Sequence, residues 1–325
     1  MIRIGLLGAS MIAPYAIIEP ARSRRDVQVV AVAARDAARA HTYALQHDIG
    51  SYAECYAELI ARNDIDLVYV GLPPSLHRDW TIRALEAGKA VLCEKPFALD
   101  AGEAREMTAV SVACGRPLLE AFHYRFHGTM RRVTTIVRDK LGPLVAMSAV
   151  AAGPGPESRG DIRWQAGLGG GALMDLGCYA VHALRTLASC EPIIDGARMM
   201  MDGGVDAATS AELRFDSCPE VRMECAFLAP KFTNALRIVG ERGSLEVEGF
   251  LLPQYGGCIR LNLGGLERQE PLPPGTTFAA QLDHVVDVLA GRAEPLTGGK
   301  DAVANMLVLG AIRAACRAHA PMAGS

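Results

Sequence analysis

Lys95 stands in Glu94-Lys95-Pro96, directly after an apolar, β-rich run from Ala90 to Glu94. The chain carries five lysines against twenty-eight arginines, so a lysine here is less readily casual surface charge. Lysine can lose its proton when desolvated, whereas arginine cannot. A surface lysine paired with Glu94 accounts for the same letters equally well. Asp175, Tyr179 and His182 form a second group. Their spacing, i, i+4 and i+7, puts them on one face of a helix. Leu173, Leu176, Ala180, Leu184 and Leu187 supply that helix with a packing face. A polar stripe turned to water is the plain alternative, and His182 alone reads most simply as a core histidine.

A third feature could hold a phosphate. Ile4 to Pro14 reads as a strand, a tight turn and a helix. Gly8 can make the turn, small Ser10 lets backbone approach a pyrophosphate, and Ala13 permits close helix–strand packing. Met11 and Ile12 stand where a helix N-terminus offers its N–H groups. This is a degenerate G-x-G-x-x-G, with Ser and Ala at the last two small positions. An ordinary strand–turn–helix would look similar, but its place ahead of a βαβ pattern favours a dinucleotide. The second strand ends Ala33-Ala34-Arg35-Asp36, without the acid that accepts from an NAD ribose. Arg35 could pair a 2′-phosphate, and Arg39, four residues on, shares its helical face. NADP is therefore expected over NAD, unless Arg35 is a solvated loop residue and Asp36 merely caps a helix.

Alternating elements must position these groups. Arg3–Leu7, Val27–Ala33, Leu67–Gly71, Ala90–Glu94 and Pro117–Ala121 read as strands. Trp80–Ala87 and Ala101–Ala113 read as helices, the first closed by Gly88 and the second capped by Asp100. That alternation predicts a parallel sheet covered on both faces, with ligands at the carboxyl ends of its strands. Trp80 reads as helix core. The second half changes character. A helix from Gly128 to Asp139 and a strand from Leu144 to Ala151 precede a Gly/Pro-rich loop, Gly153 to Gly160. Gly169–Gly171 opens a helix to about Leu187. Hairpins then follow through Ala207–Phe215, Val221–Phe227, Asn234–Val239 and Ser244–Glu248, which predicts a largely antiparallel sheet. Residues 281–290 and 301–318 read as helical.

Composition narrows the class. Over 325 residues, half are apolar and 21% charged, a globular balance that fits two domains. A net charge of -3 argues against a polyanion-binding protein, so no nucleic acid is expected. No apolar stretch approaches the roughly 20 residues of a membrane helix. Ile2–Leu7 runs into a glycine turn without a signal-peptide cleavage site. Nine scattered cysteines, none in Cys-x-x-Cys, read as reduced thiols in a cytoplasm. No metal-ligand spacing appears; His123 and His127 read as structural or substrate-contacting.

Glu94-Lys95-Pro96, the N-terminal glycine turn and Pro73-Pro74-Ser75-Leu76-His77 together resemble the Gfo/Idh/MocA oxidoreductase family, over essentially the whole chain. Glu120-Ala121-Phe122-His123-Tyr124-Arg125 and Gly170-Gly171-Ala172-Leu173-Met174-Asp175-Leu176-Gly177-Cys178-Tyr179 resemble its branch of dimeric dihydrodiol dehydrogenases and NADP-dependent D-xylose dehydrogenases. The resemblance implies an α/β fold. A doubly wound Rossmann domain (1–121) would be followed by an α+β domain (122–325) whose open, mostly antiparallel sheet forms a homodimer or homotetramer. It implies that Lys95 is catalytic, with Gly8, Ser10, Met11, Ile12, Arg35, Arg39, Leu72, Pro73, His77, Glu94 and Lys95 about the cofactor. Many relatives have Pro-Asn where this chain has Pro73-Pro74, and the second proline removes a donor there.

A phenol titrates near 10 when unperturbed, and a lysine close by would favour the phenolate. Tyr179 could then take a hydroxyl proton as hydride leaves the same carbon. Asp175 could orient substrate or lysine; His123, Arg125, Trp164 and Tyr179 would contact a polyol, aldose or diol. Trp164 is equally a packed loop aromatic, and Arg125 equally a structural bridge. The expected function is an NADP-dependent dehydrogenase of a small sugar-like or cyclic diol hydroxyl. Two other readings stand beside it. One is an NADPH-binding regulator of the same fold, against which Lys95 and Tyr179 both count. The other is a sugar–sugar oxidoreductase with tightly bound cofactor. Such relatives tend to carry extra N-terminal sequence, and this chain starts at its first strand.

Overall fold

The computed structural model describes residues 1–318. The chain divides into two compact units, one of Met1–His123 with Phe278–Val303, the other of Tyr124–Thr277 with the chain from Ala304.

The first unit is built on six parallel strands: β1 (Ile2–Leu7), β2 (Val27–Ala33), β3 (Tyr52–Ala53), β4 (Leu67–Val70), β5 (Ala90–Cys93) and β6 (Leu118–Glu120). Their order across the sheet is β3-β2-β1-β4-β5-β6. Every side chain of β4 and β5 is buried, so both faces are covered by helices and a continuous apolar run replaces alternation. Each buried Val or Leu there contributes about 1.5–3 kcal/mol. The order reverses between β1 and β4, where successive connections leave in opposite directions and open a crevice at the strands' carboxyl ends. Local chemistry sets the helix starts. Asp36 opens Ala37–Gln46 by accepting from the Arg39 N–H at 2.8 Å, and Asp100 caps Ala101–Cys114 through two N–H groups.

The helix after β4 begins at His77 rather than Trp80, because Pro74–Leu76 forms a 3₁₀ turn that runs straight into it. His77 is thus a helix residue and not a loop residue. Trp80 is half-exposed rather than core: its ring meets Tyr56 edge-on at 4.9 Å and lies under the Arg83 guanidinium.

The second unit carries an eight-stranded sheet: β7 (Leu144–Pro154), β8 (Ile193–Asp202), β9 (Val205–Phe215), β10 (Cys218–Ala226), β11 (Leu228–Gly240), β12 (Gly243–Glu248), β13 (Cys258–Leu263) and β14 (Leu266–Pro271). The order is β14-β13-β12-β11-β7-β10-β9-β8, antiparallel except for the parallel pair β7–β10. One face packs on the helix Cys178–Ala188, nearly all of which is buried. The stretch opened by Gly169–Gly171 is not one regular helix. Leu173–Gly177 forms a wide π turn before the α-helix starts at Cys178.

Candidate active site

Two glycines shape the crevice of the first unit. Gly8 has φ +107°, which excludes a side chain, and its N–H donates to the Ala33 carbonyl at 2.9 Å. A Cβ on Gly8 would stand 2.5 Å from the Gly71 carbonyl oxygen, and one on Gly71 would stand 2.9 Å from Ser10 Oγ. The loops after β1 and β4 therefore meet backbone to backbone. Ser10 does more than stay small: its Oγ accepts the Ala13 N–H at 3.3 Å and fixes the turn into the helix. Met11 and Ile12 follow, exposed at 76% and 39%, and their N–H groups make no hydrogen bond among the described residues. Exposed amides at a glycine turn over a switch point are what a pyrophosphate requires. Leu72 is buried against this turn, 3.2 Å from the place a Gly8 Cβ would take, and Pro73 beside it is half-buried.

Charge at the tip of β2 is consistent with a phosphorylated ribose. Arg35 is exposed there. Arg39 reaches from its helix to donate to the Ala9 carbonyl at 3.0 Å. Both cations lie near Tyr56, whose phenol is raised chiefly by burial while the two arginines oppose the rise. Asp36 caps the following helix by accepting the Arg39 N–H. The residues present thus fit a nicotinamide dinucleotide.

Lys95 is half-buried at the end of β5, in a turn held from several sides. Glu94 is 9% exposed; one of its oxygens accepts the Tyr69 hydroxyl at 2.7 Å and the other the Lys95 N–H at 3.2 Å. Glu120, wholly buried, accepts the Phe97 N–H at 2.9 Å. The Lys95–Pro96 peptide is cis. His77 is also wholly buried, with Nε2 at 2.8 Å from the Leu72 carbonyl and Nδ1 at 3.0 Å from that of Pro96. The ring has no exposed surface and each nitrogen lies against a backbone carbonyl, so what the His77 side chain holds in this structure is the loop after β4 and the lysine turn. Glu94 likewise spends its carboxylate on Tyr69 and the lysine turn. His123 is 6% exposed, its ring 4.3 Å from that of Phe278. Burial first, and then the Lys95 ammonium, hold its imidazole down to about 3, so it is neutral at physiological pH.

The second unit gathers aromatic and acidic groups around the π turn. Tyr179 is 7% exposed and meets the ring of Tyr124 edge-on at 5.9 Å. Tyr124, wholly buried, shares a 2.6 Å hydrogen bond with Nδ1 of His182. His182 is thus a core histidine that fixes a tyrosine. Arg125, one residue on, is half-buried. Asp175 lies half-buried on the π turn, where its carboxylate faces Arg163 Nε at 3.6 Å. Trp164 is 9% exposed; its indole N–H donates to the Pro156 carbonyl at 2.8 Å and its ring packs on Phe227 and under Arg159. Those contacts are what a packed loop aromatic makes.

Sequence reasoning passed over two residues here. Arg163 was not singled out, though its carbonyl accepts the Gly171 N–H at 2.9 Å and its guanidinium pairs with Asp175. Asp206 was missed. It is 5% exposed, accepts the Leu173 N–H at 2.7 Å and the Thr209 hydroxyl at 2.9 Å, and so anchors the start of the π turn. Its only signal was an acid directly before the alternating run Ala207–Phe215. Among the described residues no cluster of His, Cys, Asp or Glu could hold a metal ion.

Comparison with known proteins agrees with this geometry. The profile of an oxidoreductase family with an NAD-binding Rossmann fold matches residues 2–122, and that of a GFO/IDH/MocA C-terminal domain matches residues 130–246. An NADP(+)-dependent D-xylose 1-dehydrogenase from Haloferax volcanii is 35% identical over 74% of each chain. A trans-1,2-dihydrobenzene-1,2-diol dehydrogenase from Xenopus laevis is 32% identical over 70% of this chain and 68% of its own. Among solved structures, a 3-ketoreductase from Actinomadura kijaniata in complex with NADP and TDP-benzene superposes with a TM-score of 0.89 at 28% identity, covering 97% of each chain. An aldose–aldose oxidoreductase from Caulobacter crescentus superposes equally well, TM-score 0.89, at 31% identity over 98% of each. By sequence and by fold alike, this chain belongs to the Gfo/Idh/MocA family of oxidoreductases.

Proposed function

We propose that the protein is an NADP-linked dehydrogenase that oxidises a hydroxyl of a small sugar-like or cyclic diol substrate. The observation that carries the cofactor preference is the tip of β2, where Arg35 is exposed, Arg39 adjoins the glycine turn, and Asp36 caps the following helix. The xylose and dihydrodiol dehydrogenases among its relatives support the substrate class. Gly8, Ser10, Met11, Ile12, Leu72 and Pro73 hold the dinucleotide. When bound, its nicotinamide supplies the hydride acceptor. Lys95 binds the substrate oxygen. Tyr179 takes the hydroxyl proton as the C–H hydrogen departs with its electron pair, leaving a carbonyl. Asp175, held by Arg163, orients the substrate. His123 stays neutral and so offers a polar contact without adding charge.

The test is turnover of an aldose and trans-diol panel, followed by NADPH fluorescence with NADP and with NAD. Faster turnover with NADP is expected; equal use of both cofactors, or no turnover of any panel member, sinks the proposal. A second reading is favoured by one finding. The Caulobacter aldose–aldose oxidoreductase superposes on this chain over 98% of each, which supports a sugar–sugar oxidoreductase with tightly bound cofactor as the alternative. Nucleotide released by heat from the purified, washed protein at one equivalent per chain would favour that reading. The nine cysteines are all free thiols, consistent with a reducing compartment such as the cytoplasm. Among the described residues no helix is long and apolar enough to cross a membrane.

A further inference from the structure

His77 stands at the start of its helix, where an apolar residue would satisfy the core, and burying an imidazole there costs solvation that something must return. What it contacts belongs to two other segments. The Leu72 carbonyl lies in the loop after β4 and the Pro96 carbonyl in the turn after β5, and no backbone N–H reaches either among the described residues. The far ends of both segments carry the proposed function. Leu72 packs against Gly8 in the glycine turn, and Pro96 directly follows Lys95. An unbroken line of contact therefore runs from the glycine turn through Leu72, His77 and Pro96 to Lys95.

We propose that His77 is a positioning residue, which locks the loop beside the dinucleotide to the turn bearing Lys95 so that the cradle and the lysine are set together. This rests on the reading that Lys95 and the glycine turn serve one dinucleotide-linked reaction. A neutral imidazole carries one N–H, which donates to one of the two carbonyls, while the ring itself fills the space between the two segments. Burial and the neighbouring Lys95 ammonium favour that neutral form. Glu94 and Glu120 fix the turn from its other sides, and His77 is what connects it to the Leu72 loop.

Two variants and the wild type test this. His77→Leu removes both nitrogens, and His77→Gln keeps an amide donor. NADPH affinity is read by fluorescence titration. The state of Lys95 is read by ¹³C NMR after reductive ¹³C-methylation, which five lysines make resolvable and Lys95→Arg assigns. In folded His77→Leu, NADPH should bind about tenfold more weakly, the worth of a lost buried hydrogen bond, and the Lys95 titration should move. His77→Gln should recover much of both. A cooperatively folded His77→Leu with wild-type NADPH affinity and an unmoved Lys95 titration overturns the proposal. If His77→Leu does not fold, the wild type decides, since NADPH must shift the ¹⁵N imidazole signals of His77, and signals that stay put overturn it. Wild-type protein that binds no NADPH sinks the parent reading instead, while the Lys95 titration of the variants still reports on the link itself.

Discussion

Tyr179 offers the most direct test of chemistry at the residue scale. Tyr179→Phe keeps the edge-on contact with Tyr124 and removes only the hydroxyl. If the phenol is the proton acceptor, turnover falls by about 10²–10⁴ and the alkaline-rising limb of the pH–rate profile disappears, with NADP affinity little changed. Near-wild-type turnover would reassign the base to Lys95. Lys95→Arg keeps the charge but cannot release a proton, and should be similarly damaging. Arg35→Ala should weaken NADP by about 1.5–3 kcal/mol and spare NAD, a loss measured by comparing the two titrations. His123 adds a pH dependence. Its folded value, about 3, lies below the unfolded value near 6.5, so the unfolded chain binds the proton first. Stability is therefore complete above pH 6.5 and falls as pH drops through the window between the two values. The slope is up to about 1.4 kcal/mol per pH unit for this one group. Denaturant melts across that window should show a shallower fall in His123→Phe. The places of Gly8, Arg35 and Lys95 at strand ends and of Tyr179 on a helix were legible, because apolar runs and turn residues mark those elements. For His77 the sequence shows a histidine after the third strand, but not that its ring turns inward between two carbonyls.

The glycine turn before Leu173 shows what elements add to residues. Gly171 has φ +112°, and a Cβ there would stand 2.1 Å from Asp206 Oδ1, whose partner oxygen holds the Leu173 N–H. Gly171→Ala must displace the carboxylate that starts the π turn, and with it Asp175 and Tyr179. A loss of about 1–3 kcal/mol is expected by chemical denaturation. Turnover should fall while NADPH affinity stays, since the dinucleotide residues belong to the other unit; unchanged stability would remove Asp206 from its anchoring role. Elements with a strong period were readable. β2 spans the predicted Val27–Ala33, and β4, β5 and β6 fall within a residue or two of their predicted runs. β8, β13 and β14 were not read, nor was two-residue β3. β14 is exposed along most of its length, and the letters of β8, with Ile193-Ile194-Asp195-Gly196 and Met199-Met200-Met201, do not alternate apolar with polar. The π turn was invisible because Leu173–Gly177 keeps helical composition, and its width is set by Asp206, thirty-odd residues away.

On the scale of the whole molecule, the second unit's sheet buries one face and leaves the other open. Along central β7 the open face presents small residues, Ala146, Ser148, Val150 and Ala152, all half-exposed. On either side the neighbouring strands raise paired charges: Arg222 faces Glu212 at 3.6 Å, and Arg237 faces Glu246 at 3.3 Å. The result is a shallow channel floored by small side chains and walled by both signs of charge. A second copy related by a two-fold axis could lay its own walls into that channel, arginine against glutamate, since an isologous interface needs a self-complementary patch. Exposed ion pairs contribute little singly, about 0–1 kcal/mol, so association must come from apolar area removed from water along β7 and the charges would set its register. We expect a dimer or larger assembly, burying roughly 800 Å² per partner as stable interfaces do. Light scattering coupled to size exclusion should give at least twice the 34.6 kDa of one chain. Val150→Arg puts an uncompensated cation at the centre of the channel and should release monomers, whereas Leu45→Arg, on an exposed helix position of the other unit, should not. A wild-type mass of one chain at every dilution rejects the assembly, and an oligomer untouched by Val150→Arg moves it to another face.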